Sequence, residues 1–169
     1  MKNTFGQSVS MTVFGESHGE AVGVVIDGIA PGIDVDENYI KACLAKRAPS
    51  KTTDTARREK DEFKIVSGVF SGKSTGTPIC IIVPNENQRS KDYEYGIARP
   101  AHADFSANQK YHGYEDFRGG GHFSGRVTAG IVAGGAILQK ALQDIGVTVA
   151  THILECADLH DKGFENVKT

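Results

Sequence analysis

A chain of 169 residues is long enough for one sizeable hydrophobic core, and 39% apolar with 24% charged residues suits a globular protein. A net charge of −2 excludes a global basic field, and so argues against a nucleic-acid partner. No apolar run approaches the ~18 residues of a membrane helix, and residues 1–10 lack the charged start and apolar run of a signal peptide. The three cysteines, Cys43, Cys80 and Cys156, are odd in number, widely spaced and set in apolar surroundings. They are read as buried, inert thiols, which suits a reducing, cytoplasmic setting.

In chain order, Val9, Met11 and Val13 alternate with polar neighbours and predict a half-buried strand. A second valine-rich strand is expected over 21–29, pairing with the first as a hairpin that carries His18 at its connection. Asp36 is the expected N-cap of a helix through Tyr39, Ile40, Cys43 and Leu44 that stops at Pro49. Lys46 and Arg47 fall in its last turn, where cations favour the helix dipole. Residues 62–70 and 77–83 read as strands joined by a turn-rich 71–76, and 84–99 reads as a long polar loop. A short helix over 102–111 and an irregular 116–125 precede a helix over 127–145. That last helix holds Gly130, Gly134 and Gly135, each about 1 kcal/mol worse than alanine, so a close neighbour is expected along it. Val147, Val149, Thr151 and Ile153 alternate as a final strand. With no repeat and no internal boundary, 1–169 reads as a single α+β domain.

Three segments carry chemistry. The run 118–126, RGGGHFSGR, combines glycines that let backbone approach an anion, a following helix start with free N–H groups, and flanking Arg118 and Arg126. It has neither the GxxxxGK[ST] nor the GxGxxG spacing. His18 sits in FGESHG, where two glycines bracket Glu16, Ser17 and His18, all able to bind anions or move protons. His102 sits in RPAHAD, with Arg99 beside it for an anion and Asp104 placed to orient the ring. No HxxxH or HExxH pattern exists, so no metal site is expected. The basic run from Lys46 to Lys60, including Lys51, Arg57 and Arg58, reads equally well as a solvated loop.

Taken in order, FGESHG, the KRAPS and ARRE pair, SGVFSGKSTGTPI, NQRSKDY, RPAHADFSANQKY and FRGGGHFSGRVTAG resemble the chorismate synthase family from residue 6 to about 146. The resemblance implies the N-terminal portion of a β-α-β sandwich, and an incomplete one, because the chain stops near the middle of the family pattern. It implies an anti-1,4 elimination of phosphate from 5-enolpyruvylshikimate-3-phosphate to give chorismate. Reduced FMN is then the cofactor, NADPH a candidate reductant, and a homotetramer the usual assembly. By the same resemblance His18 and His102 are the catalytic histidines. His122, Phe123 and Ser124 stand where FMN is contacted. Arg47 stands where substrate or NADP is bound, and Ser17 and Arg126 fall at the substrate.

The chain departs from the pattern in three places. His122-Phe123 replaces a common Arg-Ser. Ala101 replaces a frequent glycine, a mild change. A second arginine is missing between Pro49 and Arg57, with Lys51 its stand-in. A truncated, non-catalytic flavin- or phosphate-binding module is the alternative the sequence leaves open.

Overall fold

The computed structural model describes residues 2–49 and 57–164. Lys51, the middle of the basic run and residues 165–169 lie outside the described residues. Among the described residues, twelve α-helices and strands occur in order: β1 (Thr4–Gly6), β2 (Ser10–Gly15), β3 (Ala21–Asp27), α1 (Glu37–Arg47), β4 (Lys64–Ser67), β5 (Val69–Phe70), β6 (Lys73–Ser74), β7 (Ile79–Pro84), α2 (Asp104–Tyr111), α3 (Thr128–Asp144), β8 (Glu155–Cys156) and β9 (Leu159–His160). Strands and helices are partly segregated, so the α+β expectation holds.

Five strands form one antiparallel sheet in the order β1-β2-β3-β7-β4. Side chains alternate across a strand, so register decides which residues share a face. Val13, Val24, Ile81 and Ile65 lie in one row, and Met11, Ile26 and Ile79 in the next. These rows, with Val22 and Val83, form the core under α1 and α3. Each such side chain contributes roughly 1.5–3 kcal/mol on burial.

Helix α1 starts where expected. The Asp36 carboxylate accepts from the N–H groups of Asn38 and Tyr39, and Ile40 and Leu44 are buried. The glycines of α3 are explained at two of three positions. A Cβ on Gly130 would lie 2.5 Å from the Gly23 carbonyl oxygen, and one on Gly134 would lie 2.6 Å from Met11. Helix and sheet therefore meet at backbone distance. Gly135 has nothing within 4 Å, so the close neighbour expected there is absent among the described residues.

Several expectations need correction. The final strand over 147–153 does not form; Val147, Val149 and Ile153 are exposed and pair with neither edge strand of the sheet, β1 or β4. The continuous strand over 62–70 is cut by a register shift between Ile65 and Ser67 and by Gly68 at φ +82°, which turns the chain into the separate β5–β6 hairpin. Strand β1 has no apolar alternation to announce it; it pairs through backbone and a Thr4–Thr12 hydroxyl contact of 2.8 Å. Cys43 and Cys80 are half-buried, but Cys156 is exposed, so the three thiols do not share one apolar setting. Ala101 is not a mild replacement: its φ is +61°, a left-handed conformation that costs an L side chain about 1 kcal/mol.

Candidate active site

The hairpin β2–β3 closes through residues 16–20, and this turn carries Ser17 and His18, both nearly fully buried. Arg57 reaches into it, with Nη1 donating to Ser17 Oγ at 2.8 Å and Nη2 to the Ser17 carbonyl at 3.0 Å. Glu59 holds Arg57 in turn, at 2.6 Å. Burial alone would raise the Glu59 pKa. The N–H of Glu86, the Arg57 guanidinium and the N–H of Asn87 outweigh it, so the carboxyl stays ionised below its usual range.

The glycine-rich run meets this turn from the other side. Gly119, Gly120 and Gly121 all take positive φ. The Gly121 carbonyl accepts from the Ser17 N–H at 3.0 Å. A Cβ on Gly119 would fall 2.5 Å from His18 Cδ2 and Nε2, so only glycine lets the run close on the ring. Desolvation lowers the His18 pKa, Arg57 and Arg118 lower it further, and Asp116 and Asp92 partly oppose them. Arg118 itself is held bidentately by Asp116 at 2.7 Å. That bond keeps the Asp116 carboxyl below its ordinary pKa.

Beside the turn lies a cavity of about 990 Å³ between sheet, loop 91–99, α2 and the glycine run. Phe14, Tyr93, Tyr95, Tyr111, Phe117 and Phe123 supply aromatic walls, with His122 and Arg99 as polar groups. That volume is at the upper end of ordinary cofactor sites. Tyr93 joins cavity and turn, meeting the His18 ring edge-on with centroids 5.1 Å apart.

The family model for chorismate synthase matches residues 9–169. This chain belongs to the chorismate synthase family. It is 47% identical over 166 residues to a chorismate synthase from a Nitratiruptor species, covering 96% of this chain and 46% of that protein. It is 48% identical over 150 residues to one from Thermococcus gammatolerans, covering 88% and 42%. A crystal structure of chorismate synthase superposes with a TM-score of 0.60 at 30% identity, covering 84% of this chain and 36% of that one. The fold is thus that of a chorismate synthase fragment, and the chain spans about half the length of the curated relatives it matches.

Against the family pattern, the structure gathers some of the expected residues and separates others. Ser17, His18 and the glycine run converge. His122 and Phe123 line the large cavity, while Ser124 lines a smaller neighbouring one and caps the turn Gly125–Val127. His122 Nδ1 is bonded to the Gly15 carbonyl oxygen at 2.7 Å. His102 is exposed, with Nδ1 on the Pro100 carbonyl at 2.9 Å, and makes no hydrogen bond or ring contact with His18. Asp104 does not orient it. That carboxylate is taken by Arg99 through Nε at 2.8 Å and Nη2 at 2.9 Å, which pulls its pKa down to about 2.

Arg126 lines neither of these two cavities. Its side chain is 3% exposed, paired with Asp61, and bonded through Nε to Asn85 Oδ1 at 2.7 Å and through Nη2 to the Pro84 carbonyl at 2.9 Å. Its donors are on protein acceptors, so its placement is beneath the site. Arg47 joins the same Asp61 at 2.7 Å and approaches Thr128 Oγ1 at 3.3 Å. Sequence reasoning missed Asn85, Glu59, Asp61 and Ser90. Their signal was present in ARRE-x-D and in the polar loop, but only the fold shows that those segments meet the His18 turn. Among the described residues no cluster of three His, Cys, Asp or Glu side chains is placed to hold a metal ion.

Proposed function

We propose that this chain supplies the His18 side of a chorismate synthase active site. The reaction is anti-1,4 elimination of phosphate and a ring proton from 5-enolpyruvylshikimate-3-phosphate. The observation that carries the reading is the His18 turn: a nearly buried imidazole, held against Gly119, beside two guanidinium groups and an aromatic cavity. Its cationic form is a stronger acid than a free imidazolium because burial and the guanidiniums lower its pKa. A bound phosphate or carboxylate supplies the opposite charge and brings the ring back toward neutral pH, where a proton donor works best. Ser17 Oγ accepts from Arg57, which leaves its own proton to donate to the same anion. His102, exposed beside the Arg99–Asp104 pair, is the second proton-handling group once substrate brings the two histidines to one ligand.

The aromatic cavity fits a flavin in volume and in chemistry, with Phe123, Tyr93 and His122 as the residues that would hold it. Reduced FMN, when bound, supplies the reduced ring system the family's reaction requires and is not consumed overall. Arg47 Nη1 is engaged by Asp61, which makes this guanidinium a poor anchor for NADPH. The homotetramer, the cytoplasmic setting and the substrate are proposed for the whole enzyme, of which this chain covers about half the length of its relatives.

Anaerobic titration of reduced FMN tests the cavity assignment. Phe123 is 41% exposed, so Phe123→Ala should leave the fold intact and weaken binding several-fold. Equal affinity in the variant and the parent chain would overturn the assignment. Tight binding by a chain that never turns over, even when joined to the rest of the family sequence, would favour the non-catalytic module.

A further inference from the structure

Segment 85–93 is bound to the His18 turn through several hydrogen bonds. Asn85 Nδ2 donates to the carbonyls of Glu16 at 3.0 Å and Gly19 at 2.9 Å, and its N–H donates to Glu20 at 2.9 Å. Gln88 Nε2 adds a bond to the Gly19 carbonyl at 2.9 Å. The turn and the segment are therefore one body, and the residues after Gln88 take their place relative to the ring. The short turn Ser90–Asp92 then sets Ser90 Oγ 3.0 Å from His18 Nδ1. Tyr93 meets the ring edge-on at an interplanar angle of 85°, and Gly119 closes on the Cδ2–Nε2 edge of the ring. Among the described residues, Nδ1 has Ser90 as its partner and Nε2 has none.

We propose that Ser90 is a positioning residue for His18: its hydroxyl donates to Nδ1 and so fixes the proton of the neutral ring on Nε2. The inference rests on the reading of His18 as a proton-handling group, because with Nδ1 taken by Ser90 it leaves Nε2 as the nitrogen that meets the ligand. A hydroxyl suits this role better than a carboxylate. It can donate to the neutral ring and turn round to accept from the cationic one, so the bond survives the titration. It also adds no negative charge that would hold the ring permanently protonated. The charged groups bearing on the ring are Arg57, Arg118, Asp116 and Asp92. None of these four hydrogen-bonds either ring nitrogen, so among the described residues the orientation falls to Ser90.

The test is a two-bond proton–nitrogen spectrum of the 169-residue chain labelled with 15N-histidine, at a pH above the ring's titration. The His18 signals are assigned by their loss in His18→Gln. The expected pattern is one tautomer, with Nε2 protonated and Nδ1 shifted from the free pyridine-type position by its hydrogen bond. Ser90→Ala should move Nδ1 to the unbonded position, and Ser90→Thr should restore it. A proton on Nδ1 of the neutral ring in the parent chain, or an unchanged His18 pattern in Ser90→Ala, would overturn the proposal. The parent spectrum decides the tautomer even where Ser90→Ala fails to fold. This readout does not depend on turnover. A silent elimination assay with the expected pattern would count against the functional reading and leave Ser90 standing.

Discussion

Replacing Asp61 with alanine removes one carboxylate from two guanidinium groups at once. Asp61 and Arg126 are both almost fully buried, with side chains 4% and 3% exposed. Breaking such a pair leaves an uncompensated buried charge and typically costs about 3–5 kcal/mol. The Arg47 side chain is 20% exposed, so its bond adds only about 0.5–1 kcal/mol. Arg126 keeps Asn85 Oδ1 and the Pro84 carbonyl as acceptors, which brings the expected loss to about 3 kcal/mol. Urea unfolding followed by circular dichroism reads it. With a slope of about 2 kcal/mol/M, the midpoint should fall by about 1.5 M. The double variant Asp61→Asn with Arg126→Leu should recover part of that loss, because no buried charge is left stranded and asparagine tolerates the left-handed backbone at position 61, where φ is +53°. A single Asp61→Ala variant within about 0.5 kcal/mol of the parent chain would show that the buried pair is not needed, as would a double variant that loses the sum of the singles.

The remaining predictions concern backbone and protonation. Gly130→Ala should destabilise the chain, since its Cβ meets the Gly23 carbonyl, whereas Gly135→Ala should raise thermal stability by about 0.5–1 kcal/mol; equal effects would deny the close helix–sheet approach. Ala101→Gly should stabilise by about 1 kcal/mol by relieving the left-handed alanine, as read in the same melts. Asp104 has a folded pKa of about 2 against an ordinary 3.8, so its stabilisation is complete above 3.8 and is lost as pH falls through about 2. Asp104→Asn should flatten that acid limb. His18 has a folded pKa below 6.5, so the unfolded ring takes a proton first. Stability should therefore fall as pH drops below about 6.5, and His18→Gln should remove that part of the pH dependence.

Much of the scaffold could be read from periodicity. The alternation of Met11 and Val13, the valine run of β3 and the Asp36 cap each depend on neighbours close in sequence, and each formed as expected. Val147 to Ile153 has strand-like alternation, but a strand needs an edge to pair with, and no local pattern reveals whether one exists. In the site, His18 and the glycine run could be read because their residue types are unusual where they occur. The Asp61 bridge between Arg47 and Arg126 could not, because its partners lie 14 and 65 positions away and meet only when the end of α1, the segment before β4 and the turn before α3 come together. The glycine run also changed meaning. It offers backbone to a ligand, as its composition suggests, but Gly119 and Gly121 are first required by the His18 turn.

If the His18 turn forms one side of an elimination site, the second half of the family sequence should complete it. Joining residues 1–169 to that second half from the Nitratiruptor relative, and following chorismate formation anaerobically with reduced FMN, tests it directly. The expected result is turnover by the joined protein, none by residues 1–169 alone, and a loss of about 100-fold or more in the joined protein with His18→Ala. Turnover by residues 1–169 alone, or an undiminished rate without His18, would contradict it.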